Sequence, residues 1–184
     1  TPNVTLKVVD PSTHTPIDGA YLEVLDFQTD QFVSSTGAFH GMANFKLANG
    51  KYRVRVHKGG QASAQLADSE YVLELTNGIP ALSTKAGSPV TSVNGVFEAA
   101  LSSSNLQFQI KAPGSSNLLS GANLALLEID SNKNYGRFVA NADAPNGTAG
   151  FSVSDGHYAV EVHPWNSSTL AMSRYELTVS GSGT

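Results

Sequence analysis

Hydrophobic and polar residues alternate along most of the chain with a period of two. In "YRVRV", which starts at Tyr52, the tyrosine and the valines form one face and the arginines form the other. "YAVEV", which starts at Tyr158, has the same arrangement. Because successive side chains of a β-strand point to opposite faces, this pattern predicts antiparallel strands with one buried face. No stretch has amphipathic helical spacing over several turns, so the sequence predicts an all-β protein.

The order of strands and turns occurs twice along the chain. The stretch "GMANFKLANGKYRVRVH" from Gly41 aligns without a gap onto "GTAGFSVSDGHYAVEVH" from Gly147. Upstream of each copy, an alternating strand is followed by a proline-containing turn, a Gly-Ala pair and a second apolar strand. Asn-Gly and Asp-Gly pairs, which favour the positive φ of tight turns, separate the strands. The sequence therefore predicts two repeats and not one undivided domain.

Each repeat is expected to form one sandwich, so we predict two tandem antiparallel β-sandwiches with about seven short strands each. The first repeat covers residues 1–77 and the second covers residues 105–184. Residues 78–104 contain two prolines and end in three serines, which indicates a connector. The "VNGVFEAAL" stretch inside this connector is able to add a strand to one of the sandwiches.

The repeated order has a family likeness, carried by "VVDPSTHTPIDGAYLEV", "ANFKLANGKYRVRV", "GANLALLEI" and "AGFSVSDGHYAVEV". It resembles the carboxypeptidase regulatory-like domains, which are transthyretin-like sandwiches of surface and secreted proteins. It is also similar to the B-type repeats of Gram-positive adhesins and pilins. The resemblance implies an Ig-like or transthyretin-like fold in a bacterial or archaeal surface protein, and this fold hosts many functions.

Composition favours an extracellular protein and excludes several partners. Charged residues make up only 14 % of the 184 residues, and there is no cysteine, which excludes disulfides and thiolate metal sites. The net charge of −4 gives no electrostatic footprint for nucleic acid, and no apolar run is long enough to span a membrane. We expect a secreted or cell-surface protein from which a signal peptide has been removed. Three sequons make Asn3, Asn146 and Asn166 candidate glycosylation sites.

The sequence contains no recognisable catalytic centre. Transthyretin-like folds include hydroxyisourate hydrolase, but the terminal Tyr-Arg-Gly-Ser of that enzyme is absent here. The best metal-like arrangement is His157, Glu161 and His163 on one strand face, where only Glu161 and His163 are close enough to share an ion. A solvated strand face explains those residues better. We therefore predict no enzyme, no metal and no cofactor.

The likeness to adhesin B-type repeats raises the question of an internal Lys–Asn isopeptide bond. Those repeats often place the reactive lysine on the first strand just before an aspartate. The nearest position here is Val8, and alternation turns its neighbour Lys7 outward. Lys111 is equally misplaced in the second repeat, so we expect no such crosslink.

Two surface features are candidate binding sites. Lys51, Arg53 and Arg55 form a basic stripe that suits an acidic glycan or sulfate, although cross-strand pairing with Glu70 and Glu74 is the better explanation. The single tryptophan, Trp165, follows a strand in "HPWNSS". It is either a platform for a sugar or an apolar plug.

From these features we predict a structural subunit of a surface fibre, pilus-like filament or layer. Copies of the protein would assemble through strand edges or termini, using the first segment, "NVTLKVV", or the last, "YELTVSGSGT". The alternative is an adhesion or carbohydrate-binding module pair of a larger secreted protein, with a glycan as partner.

Overall fold

The computed structural model describes residues 1–59, 64–130, 132, 135–165 and 169–181, and all regular structure in them is β-strand. No helix is present among these residues, which confirms the predicted all-β class. The chain folds into two compact units. Unit 1 consists of Thr1–Ala62 and Asp68–Ser102, and unit 2 consists of Ser63–Ala67 and Ser103–Thr184.

Unit 1 contains a four-stranded and a six-stranded sheet. Its strands are β1 (Val4–Val9), β2 (Tyr21–Asp26), β3 (Phe32–Gly37), β4 (Met42–Phe45), β5 (Gly50–His57), β7 (Ser69–Thr76), β8 (Ile79–Thr84), β9 (Pro89–Val90), β10 (Ser92–Val93) and β11 (Val96–Ala100). The four-stranded sheet has the order β10-β11-β1-β4, and the six-stranded sheet has the order β3-β2-β5-β7-β8-β9. Among the pairings described for unit 1, that of β1 with β11 is parallel and the others are antiparallel. Fully buried side chains come from both sheets, for example Leu6 and Val54, so the unit is a sandwich.

Unit 2 repeats part of this order. Its strands are β6 (Leu66–Ala67), β13 (Leu106–Gln109), β14 (Ala122–Ile129), β15 (Tyr135–Ala144), β16 (Thr148–Phe151), β17 (Gly156–Pro164) and β18 (Ser173–Val179), and β6 pairs with β12 (Ser102–Ser103). The four-stranded sheet β15-β14-β17-β18 corresponds to β3-β2-β5-β7, and the pair β13-β16 corresponds to β1-β4. Leu124, Leu126 and Val160 of the four-stranded sheet pack with Phe151 of β16 and with Ile110, which directly follows β13.

The segment expected to be a connector, residues 78–104, forms strands β8 to β12. β8 pairs with β7, and β11 lies beside β1, where Phe97 and Ala99 are buried. Unit 1 therefore runs to Ser102 and not to residue 77, and Ser63–Ala67, which the prediction placed in the first repeat, belong to unit 2. The strands in this segment have only two to six residues and are separated by closely spaced turns, so its composition resembles that of a linker. Burial of Phe97 and Ala99 attaches β11 to the sandwich.

Candidate functional site

The predicted basic stripe lies on the outer face of the six-stranded sheet, where carboxylates surround it. Arg53 forms an ion pair with Asp30 and lies 3.4 Å from Glu70. Arg55 lies 3.7 Å from both Glu23 and Glu70. The carboxylate of Glu70, on the neighbouring strand β7, thus contacts both guanidinium groups.

Lys51 and Lys85 complete this face. The ammonium of Lys51 lies 4.5 Å from the centre of the Phe27 ring, and the register places Lys51 opposite Glu74. Lys85 Nζ lies 3.6 Å from Glu70. Because the two arginines and Lys85 already contact carboxylates, an added anion would have to compete with these contacts.

His57 continues the same strand and pairs with an acid. Its Nδ1 lies 2.7 Å from Asp68 Oδ2, while the backbone amide of Lys58 donates to Asp68 Oδ1 at 2.9 Å. The hydrogen bond to Asp68 is the main cause that raises the pKa of His57 above 6.5, and partial burial opposes it. The pair is a fixed charge-assisted contact at the end of β5.

The outer face of β17 holds the residues considered for metal binding. Glu161 Oε1 accepts a hydrogen bond from Arg174 Nε at 3.0 Å, and His163 Nε2 lies 3.3 Å from Glu161 Oε2. The Arg174 guanidinium is the main cause of a lowered pKa for Glu161. His157 is bound elsewhere, with its Nδ1 3.0 Å from Thr178 Oγ1. Within the described residues, no group of three or more ligands that suits a metal ion is found.

Two of the three sequon asparagines are described, and they differ in their surroundings. Asn3 forms a clamp with Leu47, because its Nδ2 donates to the carbonyl oxygen at 2.8 Å and its Oδ1 accepts from the amide at 2.9 Å. Asn105, which is not in a sequon, forms the same clamp with Val153 in unit 2. The clamp therefore gives a structural reason for an asparagine at position 3 that does not involve glycosylation. Asn146 is exposed in the turn between β15 and β16, and Asn166 lies outside the described residues.

Trp165 lies directly after β17 and is 52 % exposed. Its backbone amide donates to the carbonyl oxygen of Gly121 at 2.8 Å, which anchors the chain at this residue.

The lysine considered for an internal isopeptide bond, Lys7, lies on the outer side of β1. Lys7 Nζ forms an ion pair with Glu98 Oε1 at 3.0 Å, on the outer side of a strand whose inward residue Val8 is fully buried.

The feature that sequence reasoning missed is an open apolar groove in unit 2. The groove has a volume of about 470 Å³ and lies between β13 and the inward face of β18. Its apolar lining includes Phe108, Ile110, Leu124, Val160, Tyr175 and Leu177. Tyr175 is 59 % exposed, although it is aligned with Val160 of the buried face. We refer to this cavity as the β18 groove.

In unit 1 the equivalent surface is covered. Tyr71 occupies on β7 the position that Tyr175 occupies on β18, since both lie opposite a valine of the "YxVxV" strand. Tyr71 is only 6 % exposed, and its hydroxyl donates to the carbonyl oxygen of Ala100 at 2.6 Å. β11 therefore covers in unit 1 the surface that is open in unit 2.

No family model matches the chain, and no curated protein matches it. One similar solved structure is the TIE protein of Bacillus anthracis, with 14 % identity and a TM-score of 0.33, where the match covers 96 % of this chain but only 31 % of that protein. The shaft pilin SpaA from Lactobacillus rhamnosus GG has 10 % identity, a TM-score of 0.31 and coverage of 95 % of this chain and 92 % of the pilin. The pilus adhesin RrgA from Streptococcus pneumoniae has 16 % identity, a TM-score of 0.35 and coverage of 86 % and 20 %. With TM-scores below 0.5, these similarities are too distant to assign an activity or a partner.

Among the described residues, the structure contains no helix with the length and apolar character needed to cross a bilayer.

Proposed function

We propose that this protein is an extracellular, non-enzymatic structural subunit whose copies associate through strand edges into a surface fibre, pilus-like filament or layer. The observation that carries the proposal is the edge of β18. In unit 1 the corresponding strand, β7, has β5 on one side and β8 on the other. β18 has β17 on one side, and no other described strand pairs with it. The outer side of an edge strand of this length is able to add a strand from another chain.

The edge of β18 also has few of the features that block pairing between molecules. The strand runs over seven residues, Ser173–Val179, without proline or glycine and without a register shift against β17. Edge strands that avoid association are usually short, bulged or interrupted by proline. β18 thus favours the last of the two predicted shared segments.

The first predicted segment suits this function less well. It forms β1, which lies between β11 and β4 and whose inward residues Val4, Leu6 and Val8 are buried. Donating β1 to a neighbour would remove the central strand of a sheet from unit 1. We therefore place the association at β18.

The test is a substitution that blocks the free side of β18. On β7 the carbonyl oxygen of Val72 points toward β8, because it accepts a hydrogen bond from Ser83 Oγ. The register places Glu176 at the equivalent position, so the backbone of Thr178, two residues further on, points away from β17. Thr178→Pro removes an amide from that side, and Thr178→Val is the matched control that keeps it.

We expect the native protein and T178V to show a molar mass that rises with concentration in light scattering, and elongated or layered assemblies in electron micrographs. T178P should stay monomeric while its circular dichroism remains that of the native fold. A native protein that is monomeric at every concentration, or a T178P variant that assembles as well as T178V, would contradict the proposal.

Trp165 favours the second candidate function, a carbohydrate-binding module. An aromatic ring that is 52 % exposed on one side of a sandwich is a suitable platform for a sugar. A glycan array with the native protein and Trp165→Ala tests it. Binding that W165A loses, in a protein that remains monomeric, would favour the module over the fibre subunit.

A further inference from the structure

We propose that the β18 groove is a binding site for an extended strand of another polypeptide, which adds to unit 2 in parallel beside β13. The site is separate from the edge of β18 described above and does not depend on self-association. The strand that fits this site has apolar side chains at alternate positions, and one of these side chains is small. β11 of unit 1 has this pattern, with Phe97 and Ala99 pointing inward.

The first step is the free side of β13. In unit 1, β1 pairs with β4 on one side and with β11 on the other. In unit 2, β13 pairs with β16 in the matching antiparallel arrangement, and no described strand lies on its other side. The backbone of β13 is thus available for the pairing that β1 makes with β11.

The second step is the exposure of side chains that belong to a core. Val4 and Leu6 of β1 are at most 1 % exposed, whereas their counterparts Leu106 and Phe108 on β13 are only half-buried. On the facing sheet, Leu73 is fully buried, while Leu177 at the equivalent position is half-buried. Core positions of unit 1 therefore have half-buried counterparts in unit 2, where no described strand takes the place of β11.

The third step identifies the occupant. The register in unit 1 places Phe97 beside Leu6 and Ala99 beside Val8, and both β11 side chains point inward. In unit 2 these neighbours correspond to Phe108 and Ile110, which line the groove. An incoming strand would place an apolar residue beside Phe108 and a small one beside Ile110.

The segment of this chain that fits, β11, is not free to serve. Phe97, Ala99 and the following Leu101 are 5 %, 0 % and 2 % exposed, and Leu101 donates its amide to the carbonyl oxygen of Val9 at 2.9 Å. Releasing β11 would open the core of unit 1. For this reason we assign the groove to a strand of a separate partner polypeptide with the side-chain pattern of β11.

The probe is a labelled peptide of residues 94–104, "NGVFEAALSSS", titrated with the intact 184-residue protein at concentrations where the protein is monomeric. Fluorescence anisotropy measures binding. A control peptide exchanges Phe97 with Glu98 and Ala100 with Leu101, which keeps the composition and moves the apolar residues to the other face.

Two variants of the protein locate the site. Tyr175→Arg places a charge on the groove wall at a side chain that is 59 % exposed, so the fold should tolerate it. Phe138→Arg is the matched control, because Phe138 is 55 % exposed and lies on β15, the opposite edge of the same sheet.

We expect saturable binding of the native-pattern peptide, at least about tenfold weaker binding by Y175R, and unchanged binding by F138R. Hydrogen exchange at β13 should slow when the peptide is added. T178P should bind the peptide as the native protein does, which separates this site from the self-association edge.

Several outcomes would overturn the proposal. They are the absence of saturable binding up to about 1 mM, equal binding of the exchanged peptide, and full binding by Y175R. Protection, in the monomer without peptide, of the β13 amides that point away from β16 would show that the chain covers its own groove. Protection that rises only with protein concentration would show that a second copy fills it.

Discussion

Tyr52 and Tyr158 explain why the sequence repeats the Gly-x-Tyr pattern. Each hydroxyl donates to the carbonyl oxygen of the residue four positions earlier, at 2.9 Å in both units. The ring therefore turns back over the glycine two residues before it. A Cβ at Gly50 or Gly156 would lie 3.1 or 3.2 Å from that hydroxyl oxygen, which is a crowded distance. A side chain at either position would require the tyrosine hydroxyl to move by a few tenths of an ångström, which favours glycine there.

At the residue scale, His57 gives a prediction for pH. Its pKa is raised above 6.5 by the hydrogen bond to Asp68, with Glu23 adding to the effect and Arg55 opposing it. The protonated form therefore stabilises the fold, fully below pH 6.5, and this contribution is lost as the pH rises through the raised pKa. We expect the difference in free energy of unfolding between the native protein and His57→Gln to be larger at about pH 5.5 than at about pH 9.

Asp68→Asn provides the control for that titration. It keeps the shape of the side chain and removes its charge, so the pKa of His57 measured by NMR should fall. An unchanged pKa in D68N would mean that Asp68 is not the cause.

At the scale of the element, β7 and β18 are the same strand in two surroundings. Their inward residues align in register, yet the residues of β7 are buried and Tyr175 is mostly exposed. The difference comes from two strands of unit 1: β8 pairs with β7, and β11, in the facing sheet, contacts Tyr71 through the carbonyl oxygen of Ala100. The strand is set by local alternation, whereas its burial is set by strands that are distant in sequence.

Because of this difference, the same substitution, tyrosine to phenylalanine, should change the free energy of unfolding by different amounts in the two strands. Tyr71→Phe should reduce the free energy of unfolding by about 1 kcal/mol, since it removes the hydrogen bond to Ala100 and leaves that carbonyl without this donor. Tyr175→Phe should change it by less than about 0.5 kcal/mol, because the residue is mostly exposed. Chemical denaturation of both variants measures the two values. Similar losses at both sites would indicate that Tyr175 is buried in solution.

At the scale of the whole molecule, the two units share one strand order but differ in how completely it is covered. The six-stranded sheet of unit 1 extends β3-β2-β5-β7 by two strands, and β11 extends the facing sheet. Unit 2 has the corresponding four strands and the pair β13-β16. Among the described residues, the open groove therefore lies in unit 2, whereas the corresponding surface of unit 1 is covered.

Native-state hydrogen exchange should show this asymmetry. In the monomer, amides of β18 should exchange faster than those of β7, since β18 pairs on one side and β7 on both. The central strands β2 and β14 are the matched control and should both exchange slowly, because each has neighbours on both sides. Equal protection of β7 and β18 in the monomer would contradict the open edge.

The sequence predicted part of the arrangement of charged side chains on the outer face of β5. Alternation placed Lys51, Arg53 and Arg55 on one face, and the structure has the arginines in contact with Glu70, as the cross-strand explanation requires. Their contacts with Asp30 and Glu23 depend on β2 and the turn after it, which alternation in β5 alone does not reveal. The distance of His57 from Asp68 likewise depends on how the chain returns after β5.

The sequence by itself determined the strands of the two repeated stretches, because period-two alternation, Asn-Gly and Asp-Gly turns and the Gly-x-Tyr pattern all act within a few residues. Only the tertiary structure decided that residues 78–104 belong largely to the first unit, because Phe97 and Ala99 are buried beside β1, about ninety residues earlier in the chain. The tertiary structure alone also decided that an open groove lies beside β18. The sequences of β7 and β18 are alike in pattern and do not specify that other strands cover β7 and leave β18 uncovered. Pairing between distant strands follows from which apolar faces meet, and a local pattern specifies the face but not its partner.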